Sequence, residues 1–392
     1  MKKTLIILIL SVMIFSLFIF PVFGETKLDQ EREGYYENLS NEPEYDVIRA
    51  KIVSVPLDET KEIREDIPLQ SDRRMQHLKI EILNGTHKGE TYTVQNLIEM
   101  VNPYKLIFKE GDQILLRMTE DENGKINFLK IYDRIRDKYV YFSIALLIIL
   151  LAAIGGKNGI KSILSLIFTG IVVINILIPL ILKGNSPVLV SVFVSVITSI
   201  VTIALIVGIN KKGLSALLGT ISGLLISGLM VLMVGNFTNF TGLSSEEAQM
   251  LAYVPIYRDL NYQGILYAGI ILGALGAIMD VTVSISSSMW EMKQIHSKLT
   301  FTELLKSGMN VGKDIMGSMS NTLILAYTGS SIFLMLLFKG YNLKFVELIN
   351  MDLISSEIIR AIAGSIGLVL AIPITVLISG FLYNKKNKNE AA

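Results

Sequence analysis

The sequence predicts a membrane α-helical bundle of seven spans that carries a small exported domain of β-barrel type, OB or SH3-like, behind an N-terminal signal or anchor helix. Three observations predict it. Of 392 residues, 51% are apolar and 18% charged, too lipophilic and too long a chain for one ordinary soluble domain. After Tyr139, apolar runs of about the 20 residues that a helical span requires follow one another. Between Glu25 and Lys138 no run is long enough to span, and apolar residues alternate with polar ones at period two instead.

Thr4 to Phe23 form the first apolar run behind Lys2 and Lys3, and Val22-Phe23-Gly24 resembles a weak small-residue cleavage site. Residues 1–24 therefore read as a cleaved signal peptide or a retained signal anchor, and in both cases the following domain, 25–138, is exported. The acidic stretch Glu25 to Asp46 is expected to be a flexible lead-in. Ile48, Ala50 and Ile52 against Arg49 and Lys51, then Leu78, Ile80 and Ile82 against Lys79 and Glu81, read as strands. Turn chemistry separates them at Asn84-Gly85, His87-Lys88-Gly89, Lys109-Glu110-Gly111-Asp112 and the hairpin-like Glu122-Asn123-Gly124-Lys125. An antiparallel barrel of about five strands fits this pattern.

The seven spans are expected at Tyr139 to Gly155, Ile160 to Leu182, Pro187 to Ile209, Leu214 to Val234, Gly264 to Trp290, Gly317 to Phe338 and Ile358 to Tyr383, giving a transmembrane domain 139–383 and a cytoplasmic tail 384–392. The positive-inside rule orients them. With the barrel outside, the inner segments hold eleven cations (Lys157, Lys161, Lys211, Lys212, Lys293, Lys298, Lys306, Lys313, Lys385, Lys386 and Lys388) and the outer loops five (Lys183, Arg258, Lys339, Lys344 and Arg360). Before the sixth span, Thr300-x-x-Glu303 is a capping box ahead of Leu304, Leu305 and Met309, and it predicts a short amphipathic helix on the inner membrane surface.

One acid stands out in this pattern. At about 100° per residue, Gly269, Gly273, Gly276, Asp280, Ser284, Ser287 and Glu291 share one narrow helix face. A carboxylate near the bilayer centre costs several kcal/mol or more, so such residues are expected to point into a bundle, and Asp280 reads either as a cation, proton or substrate ligand or as a structural partner hydrogen-bonded to Asn321 or a neighbouring Ser or Thr. Trp290 marks the inner interface, which sets Asp280 about 15 Å deeper at 1.5 Å per residue. Asn321 and Thr322 on the sixth span, and Thr375 on the seventh, fall at a similar depth and are its expected neighbours, with Ser284 one turn away. Gly317, Gly364 and Gly367, like the three glycines of the Asp280 stripe, are expected helix-packing positions. Pro373 is expected to kink the seventh span and free the carbonyl of Val369. Ser191, Ser195, Thr198 and Thr202 on the third span, and Gly213, Ala216, Thr220, Gly223 and Ser227 on the fourth, read as packing seams compatible with a homodimer. Asn175 on the second span reads equally as structural glue or as part of the site.

Several classes are set aside. There is no cysteine, and His77, His87 and His296 make no ligand spacing, so no metal site, no cofactor and neither a zinc nor a thiol enzyme is expected. The net charge of +1 gives no reason to expect nucleic acid. No Gly-x-x-x-x-Gly-Lys-[Ser/Thr] loop is present for a nucleotide. An intramembrane aspartyl protease needs a second deep acid beside Asp280, and none is found.

Gly264 to Glu291 (GILYAGIILGALGAIMDVTVSISSSMWE), Gly308 to Ser331 (GMNVGKDIMGSMSNTLILAYTGSS) and Gly364 to Thr375 (GSIGLVLAIPIT) resemble the YibE/F family of bacterial multi-pass membrane proteins. The resemblance extends through the N-terminal domain, including the turn Lys109 to Asp112. It implies a bacterial plasma-membrane location and carries over no substrate or reaction. The expected function is therefore a solute or ion transporter, or a component of one, with membrane lipid around it and a polar site at Asp280. The alternative is an envelope scaffold or sensor whose exported domain binds a partner.

Overall fold

The computed structural model describes residues 45–61, 72–121 and 123–384. The expected signal or anchor, most of the acidic lead-in and the tail beyond Asn384 lie outside these residues. The chain divides into two compact units between Ile149 and Leu150, within the long helix that begins at Asp137.

The N-terminal unit is a five-stranded antiparallel sheet. Its strands are β1 (Asp46–Asp58), β2 (Arg73–Ile82), β3 (Thr91–Glu99), β4 (Gln113–Glu120) and β5 (Ile126–Arg134). The order is β3-β2-β1-β4-β5, and β3 and β5 approach each other, so the sheet is a nearly closed barrel. The alternation in sequence becomes the core: Ile48, Ala50, Ile52, Leu78, Ile80, Ile82, Ile114, Leu116 and Met118 are buried inside it. Ala50 pairs with both Ile82 and Ile114, which joins the two hairpins along one row. Phe108, on the loop after β3, plugs the interior at 1% exposure. Gln76 of β2 clamps that loop: its amide donates to Phe108 O at 3.1 Å, while its carbonyl accepts from Phe108 N at 3.1 Å and from Asn96 Nδ2 at 3.2 Å.

The second unit is helical: α1 (Asp137–Val172), continuing through a π segment (Val173–Leu177) into α2 (Ile178–Leu182), then α3 (Pro187–Ile206), α4 (Lys211–Thr238), α5 (Glu246–Tyr253), α6 (Tyr262–Ile295), α7 (Phe301–Ser330), α8 (Ile332–Gly340), α9 (Phe345–Ile349) and α10 (Asp352–Asn384). Among the described residues, five helices are long and apolar enough to cross a membrane, or six when α7 and α8, bent by 60°, count as one. The first two expected spans are one helical run here, interrupted at Gly156 (φ 52°, ψ −129°), a conformation that glycine tolerates. The count of seven is thus finer than the helices alone give.

One further expectation is corrected. The short surface helix predicted from the Thr300 capping box is instead the first part of the 30-residue helix α7. The box is present, with Thr300 N donating to Glu303 Oε2 at 2.9 Å, but nothing ends the helix before Ser331. Gly308 and Gly312 do not break it because they let α7 press against Met289 of α6 and Ile372 of α10. Pro373 lies inside α10, which continues through it as one helix.

α4, α6 and α10 form the centre of the unit, with α3 against α6, and α7 against both α6 and α10. Apolar side chains such as Leu224, Ile278, Ile285, Leu368 and Ile372 fill it. Hydroxyls cross the seams: Thr220 to Thr282 at 2.7 Å, Ser215 to Ser379, Ser286 to Tyr383 at 2.7 Å and Ser165 to Thr202 at 2.7 Å. Such bonds satisfy side-chain groups that lipid cannot, while small residues bring the backbones close.

Candidate functional site

The stripe found in the sequence exists on α6, but it does not face the bundle centre. Gly269, Gly273, Gly276, Asp280, Ser284 and Glu291 are all exposed in the single chain, and Ser287 is half-buried. The opposite face of α6, with Ile271, Ala274, Ile278, Val281, Thr282 and Ile285, is the one buried. Apolar bulk decides which face packs inward. Large aliphatic residues fill the space toward α4 and α10, leaving the glycine and acid stripe turned away from them.

Asp280 therefore lies in a cavity open at one side, of about 350 Å³. It is lined by Thr202, Ile203, Ile206 and Val207 from the end of α3, Met279, Asp280, Val283 and Ser284 from α6, and Met319 from α7. Among the described residues the carboxylate makes no hydrogen bond or ion pair. Nor, among those residues, does any Lys, Arg or His line the cavity. Gly269 and Gly276 leave open space where a Cβ would stand, while at Gly273 the Tyr327 hydroxyl of α7 closes over the stripe. The packing contacts expected at Gly269, Gly276 and Gly317 are absent, since nothing lies within 4 Å of a Cβ built there. Gly364 and Gly367 lie in tight contact, against Leu323 and against Ser227 and the Gly223 carbonyl respectively.

The other expected site residues are dispersed. Thr375 is fully buried on the α4 side of α10, donating to Ala371 O at 2.7 Å, and is separated from Asp280 by the body of α6. A shared depth did not bring them together because depth leaves the angle about the helix axis free. Asn321 and Thr322 are exposed on α7, Thr322 donating to Ser318 O at 2.8 Å. Asn175 is exposed in the π segment and donates to Ile171 O at 3.0 Å. Pro179, which lacks an N–H, sits four residues after Asn175, and Ile178 N reaches back to Val173 O across the resulting wide turn. Sequence reasoning treated Thr202 as a seam and passed over Met279 and Met319. Met279 is adjacent to Asp280, and the helix expected beside it through Asn321 and Thr322 meets the cavity through Met319 instead.

The barrel offers a second polar cluster and an aromatic face. His87 Nδ1 is 3.0 Å from Glu90 Oε2, and His87 Nε2 is 3.2 Å from Glu120 Oε1. A neutral imidazole has one N–H, so only the imidazolium is attracted to both carboxylates. The hydrogen bond to Glu90, aided by the charges of Glu90 and Glu120, holds the imidazole above its usual 6.5. Hydrogen bonds from Tyr92 and then His87 hold Glu90 below the usual carboxylate value. A raised folded value means that His87 contributes stability in full below about pH 6.5, and that this contribution fades as pH rises through the folded value. Hydrogen exchange of peptides spanning residues 84–90, corrected for intrinsic rates, is therefore expected to show protection that is fullest below about pH 6.5 and falls as the pH rises above it in the wild type. A His87→Gln chain should lack this loss, and identical profiles for the two would exclude the bridge. On the outer face of β4 and β5, Arg117 stacks 4.3 Å from the Tyr132 ring and 5.9 Å from Tyr45, whose ring is 5.7 Å from Phe128.

Two family models cover this architecture. The model described as YibE/F-like protein matches residues 143–385, and the YibE/F family N-terminal domain matches residues 44–133. The chain belongs to the YibE/F family. Together with its apolar helices, this makes it a membrane protein. No curated protein and no solved structure matches it. In this YibE/F protein the N-terminal domain model corresponds to the barrel, while the longer model takes in α6 and the Asp280 cavity.

Proposed function

We propose that the protein is a transporter, or the membrane component of one, that carries a solute or ion past Asp280. The observation that carries this reading is a carboxylate with no partner or countercharge among the described residues, midway along a helix of membrane length and in an open cavity. A charge left bare at that depth is costly unless water or a ligand reaches it. Seven spans follow when the two sides of Gly156 are counted separately and the bent α7–α8 pair as one. The excess of inner lysines supports placing the barrel outside and the C-terminus within, in what the family resemblance implies is a bacterial plasma membrane.

Flux across proteoliposomes holding the full-length protein, under imposed ion gradients and with a broad panel of solutes, tests the reading. Asp280→Asn is expected to lower the rate at least about tenfold, the effect of losing about 1.4 kcal/mol of transition-state stabilisation. Wild-type flux in Asp280→Asn would overturn it. A second reading, a scaffold or sensor, is favoured by the exposed aromatic and arginine face of the barrel. Under that reading, a chain carrying Arg117→Ala and Tyr132→Ala loses function while Asp280→Asn retains it.

A further inference from the structure

Resting on the reading of the Asp280 cavity as a transport site, we infer that its ligand is an organic monocation with an apolar body, such as a protonated or quaternary amine, rather than an inorganic cation or an anion. The Asp280 carboxylate is the one charged group there among the described residues, and the C-terminal end of α3 borders the same cavity through Ile203, Ile206 and Val207, with the Ile203 carbonyl accepting from Val207 N and Gly208 N and the Val207 carbonyl from Asn210 Nδ2. The carbonyl end of a helix carries about half a negative charge and favours a cation within its final turn. Among the described residues no cationic side chain lines the cavity, so the ionised carboxylate attracts positive charge and repels anions.

The rest of the lining selects among cations. Calcium takes about six to eight oxygen ligands and magnesium about six in near-octahedral geometry. Here the side-chain oxygens are those of Asp280, Ser284 and Thr202, and the Thr202 hydroxyl is already bonded to Ser165 at 2.7 Å. Among the described residues no group of three or more His, Asp or Glu side chains is placed to hold a metal ion. The remaining walls are Ile203, Ile206, Val207, Val283 and the thioethers of Met279 and Met319, which suit an apolar body of variable shape. A volume of about 350 Å³ is far larger than one desolvated ion needs and lies at the lower end of the range for small-molecule pockets.

Modification by dicyclohexylcarbodiimide, which reacts with protonated carboxyls in apolar surroundings, tests this on the full-length protein in lipid nanodiscs. Mass spectrometry reads the adduct at Asp280. The probes are benzyltrimethylammonium, its uncharged isostere neopentylbenzene, Na⁺ and K⁺. By mass action, benzyltrimethylammonium at about ten times its Kd is expected to slow modification roughly tenfold, with little effect from the other three. Protection by Na⁺ or K⁺ without the organic cation would overturn the inference and leave the transport reading standing. Equal protection by neopentylbenzene, or none from any probe, would also overturn the inference. Absence of any adduct at Asp280, with adducts at other acids of the chain, would remove the accessible carboxyl on which both rest.

Discussion

Gly223→Ala and Gly276→Ala are expected to shift stability in opposite directions, although both replace a glycine within a membrane-length helix. At Gly223 a Cβ would stand 2.7 Å from Ile278 Cγ2, 2.8 Å from Ala371 Cβ and 3.1 Å from the Gly367 carbonyl. All three belong to the packed centre, so none can withdraw without opening the seam between α4 and α10. Overpacking of this kind typically costs about 1–3 kcal/mol, and Gly223→Leu should cost more because its side chain has no lateral escape. At Gly276 a Cβ meets nothing within 4 Å. There alanine gains roughly 0.5–1 kcal/mol from helix propensity. Thermal unfolding of the purified protein in one detergent should therefore give a lower Tm for Gly223→Ala and an equal or higher Tm for Gly276→Ala. A fall at Gly276 as large as that at Gly223 would show that the stripe is packed rather than open.

The contrast between these glycines shows what was legible in the sequence. Periodicity correctly grouped Gly269, Gly276 and Asp280 on one face, because 3.6 residues per turn fixes which side chains share a side of a helix. It does not say what stands opposite. The small residues looked like a contact surface, yet the bulkier Ile271, Ile278 and Ile285 on the other face claim the centre. Depth and a stripe of small residues link Thr375 to Asp280 in the sequence, but neither says which neighbour the stripe meets, and Ala371 and Thr375 lie against Gly223 and Gly219 of α4 instead. The barrel was easier, since period two states both the face and its burial: Ile48, Ala50 and Ile52 went inward as expected. Gln76 shares the parity of Leu78 and Ile80, so its burial was present in the pattern. Its role was hidden because Phe108, the residue it holds, comes from a loop 32 positions away. The end of the predicted surface helix was misjudged for a related reason. The capping box marks where that helix starts and carries no signal for where it stops, and Gly308 and Gly312 act as contact points against α6 and α10 along its length.

The openness of the Asp280 cavity can be measured directly because the chain contains no cysteine. Full-length Asp280→Cys, Ser284→Cys and Thr282→Cys proteins in liposomes would each carry one thiol, exposed to a charged, membrane-impermeant methanethiosulfonate reagent. Positions 280 and 284 face the cavity, whereas Thr282 is 0% exposed on the opposite side of the same helix. Only a hydrated thiol forms the reactive thiolate readily, and a packed one reacts through openings that cost several kcal/mol, so the first two should react roughly 100-fold faster than the third. Modification of Asp280→Cys as slow as that of Thr282→Cys, with rapid reaction only toward a lipid-soluble maleimide, would mean that this face meets acyl chains. That result would contradict an aqueous path along the carboxylate.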